Sequence, residues 1–115
     1  MTHRRVVGAR GEALSAAWYG AAGYEVLARN WRCGEVAIDL VCSKSGTVVI
    51  CEVKTRTSDR FGMPLDAVTA AKRRRLRRLA ARWLREHGVG CRDVRFDVAA
   101  VRSGSGTVEI VTLTW

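Results

Sequence analysis

Two apolar runs near the middle of the chain constrain the fold more than any other feature. Residues 36–42 and 47–54 are rich in valine and isoleucine, and the segment 43–46 between them has the serine and glycine that are typical of a turn. The pattern predicts a β-hairpin. Both runs are almost continuously apolar, which indicates strands covered on both faces. We therefore expect an α/β fold with helices flanking a sheet.

Three charged residues interrupt these apolar runs, namely Asp39, Glu52 and Lys54. Because side chains alternate between the two faces of a strand, Glu52 and Lys54 are predicted to point to the same side. If the hairpin turns at residues 44–45, position 39 lies opposite position 50 or 51, and Asp39 approaches Glu52 diagonally. The sequence thus predicts two carboxylates and one ammonium group on one patch of the sheet.

The remaining patterns give the order of the elements. Helical spacing predicts a first helix over residues 11–22, ended by Gly23, and a long second helix over residues 65–87, preceded by Pro64 and ended by Gly88. Further strands are predicted at residues 24–32, 94–101 and 108–113. The order α-β-β-β-α-β-β favours an α/β sandwich with a mixed sheet, and we expect residues 1–115 to form one domain.

The charge balance favours a polyanionic partner. The chain carries a formal net charge of +9, and 17 of its 20 cationic residues are arginine. Arginine suits bidentate contacts with phosphate, so nucleic acid is the leading class of partner, although a generally arginine-rich composition would give the same count. The residues predicted to bind it are Arg10 and Arg56 beside the charged patch and, from the second helix, Lys72, Arg73, Arg74 and Arg77. A solvated helix face is an equal alternative for this helical run.

Other residue classes carry less chemical information. The four cysteines and two histidines lack the spacing of a zinc site, and all four cysteines are expected to be buried. Trp18, Trp31 and Trp83 are expected in the core, and Asp97 is expected to pair with an arginine or to cap. The absence of a long apolar run or a signal-peptide pattern predicts no membrane segment and a cytoplasmic location.

The charged patch suggests metal chemistry. Two neighbouring carboxylates repel each other unless a cation neutralises them, and hard oxygen ligands suit Mg²⁺, for which Mn²⁺ could substitute. Such an ion polarises a phosphoryl oxygen and acidifies a bound water. Lys54 could orient or deprotonate that water or stabilise negative charge on the phosphate, and Glu12 on the first helix could complete the acidic cluster. A structural ion pair of Lys54 with Asp39 or Glu52 is the alternative.

The order Asp39, hairpin, Glu52-Val53-Lys54 resembles the Asp…Glu-x-Lys signature of the restriction-endonuclease-like, or PD-(D/E)XK, nucleases. With Glu12 on a preceding helix, the layout is similar to that of archaeal Holliday junction resolvases. A closer match is the YraN family (UPF0102) of small, largely uncharacterised bacterial proteins. The resemblance spans residues 8–101 and rests on residues 11–12, 30–33, 38–41, 52–56, 61–62, 72, 75–76 and 95–98.

The resemblance implies an αβββαβ core and an endonuclease that hydrolyses structured or branched DNA. It implies that Asp39, Glu52, Glu12 and the main-chain carbonyl of Val53 are metal ligands and that Lys54 is the catalytic lysine. A homodimer would suit two-fold junctions. The chain departs from the family at residues 36–37, which are Val-Ala where Gly-Glu is usual, so either the strand is shifted by a bulge or an acidic group is missing. A non-catalytic nucleic-acid-binding module on the same fold is the alternative function.

Overall fold

The chain forms a five-stranded mixed sheet with one helix packed on each face. A computed structural model describes residues 3–34, 36–56 and 69–113. The elements are, in chain order, α1 (His3–Ala21), β1 (Glu25–Cys33), β2 (Val36–Lys44), β3 (Thr47–Arg56), α2 (Ala70–His87), β4 (Asp93–Arg102) and β5 (Thr107–Leu113). The strands lie in the order β1-β2-β3-β4-β5, with β3 and β4 parallel and all other neighbours antiparallel. The predicted element order and the mixed αβββαβ core are confirmed, and β5 extends the sheet at one edge.

The hairpin of β2 and β3 differs from the prediction in its register. Lys44 pairs with Thr47, so the turn consists of Ser45 and Gly46, whose φ angles are 50° and 84°. Two central residues with positive φ suit the right-handed twist of a hairpin. The turn therefore lies one residue later than predicted, and Cys51 is opposite Leu40 rather than opposite Asp39.

Each face of the sheet buries its own apolar cluster, which explains why β2 and β3 are apolar along most of their length. The cluster on the α2 face contains Ile38, Val41, Val48, Ile50, Leu76, Leu79, Ala80, Trp83, Phe96, Val98 and Leu113. The cluster on the α1 face contains Ala16, Tyr19, Leu40, Cys42, Val49, Cys51 and Ala99. On β3 the even-numbered residues from Val48 onward thus face α2, as the predicted alternation requires for Glu52 and Lys54.

Helix α2 is held at both ends by specific caps. The hydroxyl of Thr69 accepts a hydrogen bond from the Lys72 backbone N–H at 3.2 Å, and Gly88 ends the helix in a left-handed conformation. The predicted start of this helix at residue 65, together with Pro64 and the Phe61-Gly62 pair, lies outside the described residues. No helix in the described ranges is both long and apolar enough to cross a membrane.

Several predicted burials are wrong. Cys42 and Cys51 are buried, but Cys33 is half-buried and Cys91 is exposed. Trp83 is buried and Trp31 is half-buried, whereas Trp18 is 39% exposed, because α1 turns Ala16 and Tyr19 toward the sheet instead. Leu14, Trp18 and Ala21 also recur at helical spacing, but the stripe of α1 that faces the sheet contains Ser15, Ala16 and Tyr19 instead.

Helix α1 begins at His3 and not at Gly11 as predicted, so Gly11 lies inside the helix. There it permits close packing on β3. A Cβ atom at this position would overlap the Thr55 hydroxyl and would lie 3.2 Å from Thr55 Cβ and 3.4 Å from Val53 Cγ1. Gly11 thus brings the middle of α1, with the neighbouring Glu12, onto the end of β3 that carries Lys54.

We expect Gly11→Ala to lower the free energy of unfolding by about 1–3 kcal/mol, since the added methyl group must push α1 off β3. Urea denaturation followed by circular dichroism measures the change. Gly20→Ala is the matched control, because a Cβ there meets nothing within 4 Å. In that control the better helix propensity of alanine should raise stability by about 0.5–1 kcal/mol. Equal gains in both variants would show that the contact with Thr55 is not tight.

Candidate functional site

Asp39 lies where the regular geometry of the sheet breaks. Ile38 packs in the cluster on the α2 face and Leu40 in the cluster on the α1 face, although residues two apart in a regular strand share a face. On the neighbouring strand the pairs Trp31–Ile38 and Arg29–Leu40 enclose Asn30, whose φ of 48° is left-handed. The β1–β2 register is continuous from Arg29–Leu40 to Cys33–Val36, so the described residues show no bulge that accounts for the Val36-Ala37 departure, and Glu35 lies outside them.

The carboxylate of Asp39 is bound to the backbone of β3. Its Oδ2 accepts a hydrogen bond from the Val53 N–H at 2.8 Å, just beyond the last recorded pair of the β2–β3 ladder, Leu40–Cys51. Desolvation by burial and repulsion from Glu52 raise the pKa of Asp39 to about 6, although the bond from Val53 opposes the shift. A nearby cation would therefore stabilise the ionised form of Asp39 against the effects of burial and of the negative charge on Glu52.

Glu52 is the most buried acid of the patch and lies between two lysines. Its residue exposure is 8%, and its Oε1 lies 2.6 Å from Lys72 Nζ and 3.7 Å from Lys54 Nζ. Lys54 comes from the same strand, two residues on, whereas Lys72 comes from the first turn of α2. Glu52 and Lys54 thus lie together on β3, and Asp39 is near enough to Glu52 for repulsion to raise the pKa of Asp39. Lys72 is an additional member of this patch.

Glu12 reaches this region from the helix on the opposite face of the sheet. Its negative charge contributes to the raised pKa of Asp39, and its own pKa is raised by burial while Arg29 and Arg32 lower it. Glu12 is therefore an electrostatic neighbour of the patch. Sequence reasoning missed the two β1 arginines as neighbours of Glu12. Their sole signal was their place on a predicted strand that follows the helix carrying Glu12.

The predicted nucleic-acid-binding residues lie in two places. Arg10 and Arg56 lie toward the end of the sheet where β3 and β4 finish. The guanidinium group of Arg10 lies beside Gly106, and the Arg56 carbonyl accepts a hydrogen bond from the Ser103 N–H. On α2, Arg74 and Arg77 are exposed and Arg73 is half-buried. These three share the helix whose first turn carries Lys72.

Asp97 is not part of the patch, and its predicted pairing with an arginine is confirmed. Its fully buried carboxylate accepts hydrogen bonds from Arg95 Nε and Nη2 at 3.0 Å, from Tyr19 Oη at 2.6 Å and from Thr112 Oγ1 at 2.9 Å. Arg95 also donates to Tyr24 Oη. The network links α1, β4 and β5, so its role is structural.

The donor set of the patch fits a hard divalent cation bound through few protein ligands. Within the described ranges, three His, Cys, Asp or Glu side chains do not gather closely enough to form a metal site by themselves. Mg²⁺ usually takes one or two carboxylates and keeps several waters, so Asp39 and Glu52 match its demands. Lys54 and Lys72 already place two positive charges beside Glu52.

Comparison with known proteins identifies relatives over nearly the whole chain. Residues 11–101 match the model of a family described as uncharacterised protein family UPF0102. A UPF0102 protein of Beutenbergia cavernae is 50% identical over 112 residues, which cover 95% of each chain. A UPF0102 protein of a Nocardioides species is 46% identical and covers 94% of this chain and 90% of its own. The chain belongs to the uncharacterised protein family UPF0102.

Proposed function

We propose that this protein is a Mg²⁺-dependent endonuclease that hydrolyses phosphodiester bonds in structured or branched DNA. The observation that carries the proposal is the meeting of Asp39, Glu52 and Lys54 at the irregular point of the sheet. A half-buried Asp39, a buried Glu52 and the adjacent ammonium group of Lys54 resemble the Asp…Glu-x-Lys site of restriction-endonuclease-like nucleases, including archaeal Holliday junction resolvases. The αβββαβ order of the core agrees with that resemblance.

Each residue of the patch has a role in this chemistry. Asp39 and Glu52 would hold the metal, with the Val53 carbonyl and Glu12 as further ligands by resemblance. When bound, the metal would supply charge stabilisation at a phosphoryl oxygen and a more acidic water. Lys54 lies 3.7 Å from Glu52 Oε1, so its ammonium group can orient the attacking water or stabilise charge on the phosphate. Hydrolysis then forms one P–O bond to water and breaks the P–O bond to the leaving sugar.

The surface around the patch suits a phosphate backbone. Helix α2 carries seven arginines and one lysine against one glutamate, and its apolar side is buried on the sheet. The outer side therefore presents positive charge from the same helix that contributes Lys72 to the patch. Arginine contacts of this type would bind backbone phosphates without reading the base sequence. Recognition of DNA by shape and charge, and a homodimer that cuts two strands, remain predictions.

A non-catalytic nucleic-acid-binding module is the second candidate function. The observation in its favour is the ion pair between Lys72 and Glu52, since an ammonium group at 2.6 Å already neutralises one of the two acids. A patch stabilised in this way could be a structural element beneath a basic helix. Both candidates predict salt-sensitive binding of DNA, so cleavage separates them.

The decisive experiment is incubation of the purified protein with labelled Holliday junction, splayed-arm, duplex and single-stranded DNA in Mg²⁺, Mn²⁺ or EDTA. We expect cleavage of branched substrates by the wild-type protein, none in EDTA, and a loss of at least about a hundredfold in Glu52→Gln. Asp93→Asn, at an exposed acid of β4, is the matched control. Binding of every substrate without cleavage in either metal would instead identify the module without catalytic activity.

A further inference from the structure

Lys72 differs from the exposed arginines of α2 in the direction of its side chain. Its Nζ lies 2.6 Å from Glu52 Oε1 and its side chain is 30% exposed, whereas Arg74, Arg78 and Arg85 are exposed on the helix surface. The contact joins residues 20 positions apart in the chain. Lys72 therefore belongs to the patch on the sheet rather than to the outer face of the helix.

The position of Lys72 is fixed by the start of α2. Its backbone N–H donates to the capping hydroxyl of Thr69, and one turn later Leu76 is buried against the sheet. A cap and a buried anchor on either side leave the backbone little freedom. The ammonium group is thus presented to Glu52 by the architecture of the helix, unlike an ion pair between two long surface side chains.

The charges of the patch balance without any added ion. The carboxylates of Asp39 and Glu52 carry two negative charges when ionised, and the ammonium groups of Lys54 and Lys72 carry two positive charges. Both lysines approach the same oxygen of Glu52, at 3.7 Å and 2.6 Å. A divalent cation that binds this oxygen would meet the Lys72 ammonium group at close range. At such distances like charges repel strongly even with partial solvation.

We infer that Lys72 is an internal counter-cation, which neutralises Glu52 in the metal-free protein and is displaced when a divalent cation binds. The inference rests on the proposed function, because it concerns the same carboxylates. Lys72 is then a positioning residue that sets how tightly the patch binds metal. Once displaced, its ammonium group lies between the patch and the basic helix, where a substrate phosphate could bind it. This exchange would couple metal binding to nucleic-acid binding.

The test is isothermal titration of Mn²⁺ into the wild-type protein, Lys72→Gln and the control Arg85→Gln, without nucleic acid. Both variants remove one positive charge from α2, but Arg85 is exposed in the last turn of the helix. We expect Lys72→Gln to bind Mn²⁺ about tenfold more tightly than wild type, since the competing charge is gone. Arg85→Gln should stay within about twofold, because solvent and salt screen an exposed charge at that distance.

A second variant and a stability measurement distinguish a change in metal affinity from a folding defect in Lys72→Gln. Lys72→Arg keeps the charge, so it should bind Mn²⁺ no more tightly than wild type, and urea denaturation with and without Mn²⁺ reports stability independently. Stabilisation by saturating Mn²⁺ should be larger for Lys72→Gln than for wild type. Equal or weaker Mn²⁺ binding by Lys72→Gln, with wild type still binding, would overturn the counter-cation role and leave the nuclease proposal standing. Absence of Mn²⁺ binding in all variants would overturn both.

Discussion

Lys54→Ala is expected to reduce metal-dependent DNA cleavage by at least about a hundredfold while leaving DNA binding largely intact. The ammonium group lies on the same face of β3 as Glu52 and 3.7 Å from its Oε1, so it is close to any water or phosphate held by the two acids. Its removal should affect the transition state more than the ground state, because charge develops during the attack on phosphorus. Single-turnover cleavage and fluorescence anisotropy of labelled DNA separate the two effects.

Two further variants make this prediction specific. Lys44→Ala removes a lysine at the far end of the hairpin, where Nζ donates to the Ala22 carbonyl, and should cleave at the wild-type rate. Lys54→Arg keeps the positive charge but cannot lose a proton near neutral pH. Retained cleavage in Lys54→Arg would assign an electrostatic role to Lys54, and lost cleavage would favour proton transfer. Undiminished cleavage by Lys54→Ala would exclude the lysine from catalysis and weaken the proposed nuclease site.

Asp97→Ala is expected to lower the free energy of unfolding by about 3–5 kcal/mol, a large part of the stability of a small domain. The variant leaves the Arg95 guanidinium and the hydroxyl groups of Tyr19 and Thr112 without the carboxylate that they share. Tyr19 is fully buried, so solvent cannot readily replace the lost bond. Equilibrium urea unfolding followed by tryptophan fluorescence and by circular dichroism measures the loss.

The control for this prediction is Asp93→Ala on the same strand. Asp93 is exposed, and its replacement should change stability by less than about 0.5 kcal/mol. Asp97→Asn should fall between the two, since the amide keeps the shape and one acceptor but loses the charge. A change below about 1 kcal/mol in Asp97→Ala would mean that the network is already solvated and contributes little.

The sequence predicted the fold in outline because each element has a local physical cause. Apolar residues on both faces of β2 and β3 require helices on both sides, and the mixed sheet follows from the order of strands and helices. The glycine after α2 marks its end because it adopts a left-handed conformation there. The start of α1 was wrong because Gly11 resembles a boundary in the sequence but serves a close helix–strand contact.

The central residues of the site were predictable where their placement depends on one strand, and less so where it depends on the register of two strands. Glu52 and Lys54 are two apart on one strand, so alternation alone gives them one face. The position of Asp39 relative to Glu52 depends on the register of the hairpin. The turn lies one residue later than predicted, but this shift does not separate Asp39 from Glu52. The metal, the DNA substrate and the assigned roles of these residues remain predictions that the experiments above test.

The amino-acid sequence by itself determined the hairpin, the two flanking helices and a charged patch on β3, because strand alternation and helical periodicity act between near neighbours. Only the tertiary structure decided which distant polar groups meet. Lys72 reaches Glu52 across 20 positions, and Tyr19 reaches Asp97 across 78. No local pattern encodes such contacts, since they depend on how α1 and α2 dock on opposite faces of the sheet. The physical reason is that packing of the two apolar clusters fixes α1 and α2 on the sheet. The polar side chains on these helices then lie beside partners on the strands that are distant in sequence.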